Sequence, residues 1–164
     1  MVLALFIDDE KALLDSVKTA ASLNNINLVT AQSWDDGIAL VHVLAPDIVF
    51  ADYNLPGSRH GLMLLLEIKR LRPSVKVWLV SAYLNDEDLS QIMELGVIDG
   101  AMKKLDPMAT MEKLFELIRN TNSDAATGTD WVAFADAVVK FNDSQQDKLE
   151  AFDALLTNRL GSGP

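Results

Sequence analysis

The chain predicts an α/β fold: a doubly wound, five-stranded parallel sheet in the order 2-1-3-4-5, with a C-terminal helical extension. Three observations carry this. Short apolar runs alternate with longer stretches of helical period. The alternation occurs five times within residues 1–119, which implies a parallel sheet with right-handed crossovers and helices on both faces. The first apolar run, Val2 to Ile7, also lacks polar–apolar alternation, as a strand covered on both faces does.

The elements follow in order. Val2 to Ile7 reads as the first strand. Lys11 to Leu23 carries Ala12, Leu13, Val17, Ala20 and Ala21 as a helical stripe, stopped by Asn24 and Asn25. Ile26 to Ala31 is the second strand. Ser33 caps a helix through Leu44, with Asp35 and Asp36 in the first turn, where the helix dipole favours acids. Pro46 marks its break. Ile48 to Ala51 is the third strand and runs into Asp52. A loop with Pro56, Gly57 and Ser58 leads to a helix over Gly61–Leu71. Val75 to Val80 is the fourth strand, and a helix from Asp86 to Leu95 is closed by Gly96. The last strand spans Ile98 to Met102, and Asp106 caps a helix over Pro107–Arg119 with proline at its first position. Residues 120–129 are rich in Asn, Thr, Ser, Ala and Gly and read as a linker. Residues 130–160 carry Trp131, Phe134, Val138, Leu149, Phe152 and Leu156 at helical spacing, the pattern of one or two amphipathic helices. Residues 161–164 read as a flexible end or an expression remnant.

Composition narrows the function. With 164 residues the chain can bury a real core, and 49% hydrophobic with 23% charged residues is ordinary globular usage. The absence of cysteine excludes disulfides, thiolate metal sites and a cysteine nucleophile. A formal charge of −10 disfavours nucleic acid and an anionic membrane surface as direct partners. There is no long apolar span, and the N-terminus meets two aspartates early, unlike a signal peptide; a cytoplasmic protein is expected.

Ligands in such sheets bind at the carboxyl ends of the strands. Asp8 and Asp9 follow the first strand, and Asp52 ends the third, its neighbour in the expected order. Converging carboxylates repel, which predicts raised pKa values or a bound cation. Oxygen ligands select a hard ion, and Mg²⁺ fits.

LFIDDE, DIVFADYNLPG, VWLVSAY and KKLDP, arriving in that order at strand ends, resemble the receiver domain of two-component response regulators over residues 1–119. The resemblance implies the flavodoxin-like fold and a set of roles. Asp52 matches the phosphoacceptor. Asp9 matches the direct Mg²⁺ ligand of the acidic pair and Asp8 its partner. Asn54 matches the position whose backbone carbonyl ligates the metal. Ser81 matches the hydroxyl residue that binds the phosphoryl group. Lys103 matches the lysine that pairs with phosphoryl oxygens, in a gapless alignment from Gly96; Lys104 takes that role if one residue is inserted. The donor would be a sensor histidine kinase or a histidine phosphotransfer protein. The protein would be a phosphoacceptor rather than a turnover enzyme, signalling through a downstream protein or through homodimerisation by residues 130–160.

Three departures stand out. Lys104 occupies the place where the family usually has a proline, often with a cis bond. Gly100, or Ala101 in the alternative register, occupies the place of an aromatic switch residue; Tyr83 is the nearest replacement, and otherwise an ordinary half-exposed loop aromatic. The loop from Asp52 to Gly61 is about one residue longer than the common form and holds Arg59 and His60, read as solvated. These departures leave a second reading open, a receiver-like interaction module that works without phosphate. A third, an aspartyl-phosphate-type phosphohydrolase, wants an acid two residues past the nucleophile, where this chain has Asn54.

Overall fold

A computed structural model of the chain describes residues 1–57 and 60–121. Arg59 and nearly all of the expected linker, the helical extension and the terminal segment lie outside the described residues. The elements are β1 (Leu3–Ile7), α1 (Lys11–Leu23), β2 (Asn27–Ala31), α2 (Trp34–Leu44) and β3 (Ile48–Asp52). They continue with α3 (Gly61–Leu71), β4 (Lys76–Ser81), α4 (Asp86–Glu94), β5 (Gly100–Lys103) and α5 (Pro107–Arg119). The five strands form one parallel sheet in the order β2-β1-β3-β4-β5, as expected.

Pleating sorts the strand residues onto two cores. Leu3, Leu5, Ile7, Val49, Ala51, Val77 and Leu79 face one way and meet Leu40, Val41 and Leu44 of α2 and Leu64, Leu65 and Ile68 of α3. Ala4, Phe6, Ile48, Phe50 and Val80 face the other way and meet Leu13, Leu14 and Val17 of α1 and Leu114, Phe115 and Ile118 of α5. Burying each large apolar side chain contributes about 1.5–3 kcal/mol, so the two layers hold the sheet rigidly under its loops.

The predicted caps form. Ser33 Oγ accepts from Asp36 N at 3.2 Å, and Asp106 Oδ1 accepts from Ala109 N at 3.0 Å. α4 starts at a capping box unpredicted from sequence: Asn85 Oδ1 accepts from Asp88 N at 2.8 Å, and Asp88 Oδ2 accepts from Asn85 N at 3.2 Å.

β1, β2 and β4 start one residue later than expected, and the fifth strand departs further, with consequences for the site. The last strand begins at Gly100, not Ile98. Asp99 takes over the start of the ladder with its side chain: Oδ2 accepts from Val77 N at 2.8 Å, while Asp99 N donates to Val77 O at 3.0 Å. Lys69 adds an ion pair to Asp99 Oδ2 at 3.0 Å. Residues 97–99 therefore bend, and strand pairing starts at Trp78 opposite Gly100.

Candidate functional site

The sheet brings the expected acids together. β1 and β3 are neighbours, so Asp8, just past β1, meets Asp52 at the end of β3. One carboxylate oxygen from each of Asp8, Asp9 and Asp52 lies within 4.8 Å of the others. Asp8 is 0% and Asp52 5% exposed, whereas Asp9 is exposed.

Burial sets the electrostatics. It raises the Asp52 carboxyl to about 6, with the charge of Asp8 adding to the rise and Lys104 and the Asn54 backbone N–H opposing it. Burial likewise raises Asp8, against the pull of Lys104 and of the Glu10 N–H that donates to Asp8 Oδ1 at 2.8 Å. Asp8 Oδ2 is a buried oxygen without an aligned hydrogen bond. Its contact with Lys104 Nζ, at 2.7 Å, is an ion pair. A buried oxygen held only by an ion pair, beside two converging carboxylates, suits a hard cation such as Mg²⁺.

Lys104, not Lys103, is the lysine at the acids. Lys104 Nζ also lies 3.7 Å from Asp52 Oδ2 and 3.3 Å from Glu10 Oε2, with its side chain 14% exposed. Burial works to lower its pKa, but pairing with Asp8, then Asp52 and Glu10, outweighs burial and raises it. Lys103 instead reaches Asp86 Oδ1 at 2.9 Å on the outer surface. The first choice from sequence is thus corrected. Counting gaplessly from Gly96 assumes that the chain enters the strand without delay, and the bend at 97–99 shifts β5 along. Lys103 pairs with Ser81 in the ladder, and Lys104 follows with its N–H donating to Ser81 O at 2.8 Å.

In this register Ala101 stands where the aromatic was expected, partly buried against the α2/α3 core. Leu105 follows the site lysine, and no cis peptide occurs among the described residues. Tyr83 is 82% exposed.

Ser81 ends β4 and is 0% exposed. Its Oγ accepts from Tyr83 N at 3.2 Å and from Leu84 N at 3.0 Å. With the oxygen engaged twice, its O–H is the part left to donate. Asn54 lies exposed in the loop after Asp52. Gly61 backs Asp52 directly: its N–H donates to Tyr53 O at 2.8 Å, and a Cβ there would run into the Asp52 carbonyl. Only glycine lets α3 approach this closely.

Two residues were misjudged or missed. His60, expected to be solvated, is half-buried and stacks on Tyr53 with centroids 4.8 Å apart and planes 17° apart. Glu10 was not singled out, although it contacts Lys104; the signal was its place directly after the acidic pair.

The family model described as the response regulator receiver domain matches residues 4–115. The response regulator protein VraR of Staphylococcus saprophyticus is 24% identical over 94% of this chain and 70% of its own length. The nitrate/nitrite response regulator protein NarL of Escherichia coli is 28% identical over 68% of this chain and 52% of its own length. The chain likewise spans 52% of the phosphate regulon transcriptional regulatory protein PhoB of Pseudomonas aeruginosa, at 24% identity over 71% of this chain. Among solved structures, a CheY-like response regulator receiver domain protein from Methanospirillum hungatei superposes with a TM-score of 0.61 at 26% identity, covering 73% of this chain and 94% of that one.

Proposed function

This chain belongs to the response regulator receiver domain family, and from that premise we propose that Asp52 accepts a phosphoryl group from a phosphohistidine donor in a Mg²⁺-dependent reaction. The observation that carries the reading is the meeting of Asp8, Asp9 and Asp52 at the carboxyl ends of neighbouring strands, with Lys104 beside them. The Asp52 carboxylate attacks phosphorus; an acyl phosphate bond forms, the P–N bond to the donor histidine breaks, and the imidazole nitrogen keeps the electron pair. Asp8, Asp9, Asp52 and the Asn54 carbonyl would hold Mg²⁺, which when bound offsets the carboxylates' repulsion and the charge on phosphoryl oxygens. Lys104 supplies a second positive charge from the β5 side, and the Ser81 hydroxyl donates to a phosphoryl oxygen. The acyl phosphate adds negative charge and acceptor oxygens at the strand ends. That charge biases a two-state equilibrium, and the output goes to a protein partner or to a second copy of the chain through residues 130–160. The donor is a sensor histidine kinase or a histidine phosphotransfer protein, and we place the protein in the cytoplasm; among the described residues no helix is long and apolar enough to cross a membrane.

Incubation with acetyl phosphate tests the reading. The wild-type chain should gain one phosphoryl group by intact mass with Mg²⁺ and none with a chelator, and Asp52→Asn should gain none. A second reading, a receiver-like module that works without phosphate, is favoured by one observation: Ala101 has no ring to move. It predicts no labelling in either case and no effect of Asp52→Asn on partner binding.

A further inference from the structure

Asp8, 0% exposed, has both carboxylate oxygens committed. Oδ1 accepts from Glu10 N at 2.8 Å, and Oδ2 faces Lys104 Nζ at 2.7 Å. Asp8 cannot rotate without abandoning the Glu10 N–H, and leaving that hydrogen bond unmade at a buried position is costly. A cation that uses Asp8 Oδ2 therefore competes with the Lys104 ammonium for the same oxygen. Two positive charges crowded on one oxygen repel, so the ammonium has to move.

The direction of that movement is limited. Asp52 is itself a member of the cation cluster. The remaining acid in contact with Lys104 among the described residues is Glu10, whose Oε2 lies 3.3 Å from Nζ. The Glu10 side chain is 57% exposed, so it draws Lys104 toward the mouth of the site, where desolvation is smaller. The residue is also the N-cap of α1, and its backbone N–H holds Asp8, so the Glu10 backbone is fixed relative to the acid that Lys104 leaves.

We propose that Glu10 is a positioning residue: it offers Lys104 an anionic berth when a cation occupies Asp8, Asp9 and Asp52, and so couples metal binding to a shift of Lys104 away from Asp8. This rests on the Mg²⁺-dependent phosphoacceptor reading and adds a role for an acid outside the cation cluster. Without the berth, the ammonium would stay on Asp8 Oδ2 and compete with the cation.

Titration calorimetry with MgCl₂ on the full chain tests this as a double-mutant cycle of Glu10→Gln and Lys104→Met. Glu10→Gln should weaken Mg²⁺ association about fivefold or more with Lys104 present, and about twofold or less in the Lys104→Met background. Equal weakening in both backgrounds would mean that Glu10 acts on the cation by its charge alone, and the proposal is then wrong. No weakening in either background also refutes it. If Lys104→Met does not fold, the Lys104 side-chain ammonium NMR signal decides: it should shift on adding Mg²⁺ in wild type and stay in place in Glu10→Gln. Wild-type chain that binds no Mg²⁺ would remove the underlying reading and the proposal together, whereas binding without coupling removes the proposal only.

Discussion

At the scale of single residues, the site holds a carboxylate where it is uncomfortable. The Asp52 carboxyl, raised by burial to about 6, binds its proton more tightly in the folded chain than the ordinary value of 3.8 allows in the unfolded one. Its contribution to stability is fullest below the unfolded value and is lost as pH rises toward 6. At neutral pH Asp52 is ionised against Asp8 and is a liability that Asp52→Asn removes. In chelator, Asp52→Asn should be more stable than wild type by about 1–3 kcal/mol at pH 7.5, with the gap closing as pH falls toward 4; denaturant melts at several pH values check this. A gap independent of pH would place the stabilisation elsewhere. Asp8, Asp9 and Asp52 were legible because each lies at a strand end, where the apolar run of the strand gives way to acids. His60 was not, because nothing local in the sequence announces its stack on Tyr53.

At the scale of elements, four strands and five helices could be read almost to the residue, since apolar runs, caps and prolines act locally. The fifth strand could not. Ile98 and Asp99 look like strand residues, but the Asp99 carboxylate is drawn to Val77 N–H and to Lys69, contacts 22 and 30 residues away in sequence. That tertiary capture bends the chain, delays β5 and decides which of two adjacent lysines reaches the acids. Gly100 marks the delayed start. A Cβ there would sit 2.5 Å from three atoms of the Trp78 ring, so the indole lies over the space the glycine leaves. Gly100→Ala should therefore destabilise the domain by about 1–3 kcal/mol, and Trp78→Leu should recover part of the loss when combined with it. Additive losses in thermal melts would show that the two residues do not share this space.

At the scale of the whole molecule, the formal charge of −10 divides into two parts with different meaning. Residues 1–119 hold 11 basic and 17 acidic residues, and three of those acids share the cluster beside Lys104. The remaining excess lies in residues 120–164, with 3 basic and 7 acidic, which suits a protein partner better than DNA. The parallel sheet makes the cluster possible, because acids 44 positions apart in sequence, Asp8 and Asp52, leave neighbouring strands at the same edge. In the proposed function, one carboxylate among the 24 acidic residues of the chain carries the phosphoryl group. Borohydride reduction of the acetyl phosphate-treated protein, followed by peptide mapping of the entire chain, reads this directly, since an aspartyl phosphate is reduced to homoserine. Homoserine is expected at position 52 alone, dependent on Mg²⁺ during labelling. Homoserine at Asp8, Asp9 or another aspartate, or none after full Mg²⁺-dependent exposure to the donor, would contradict it.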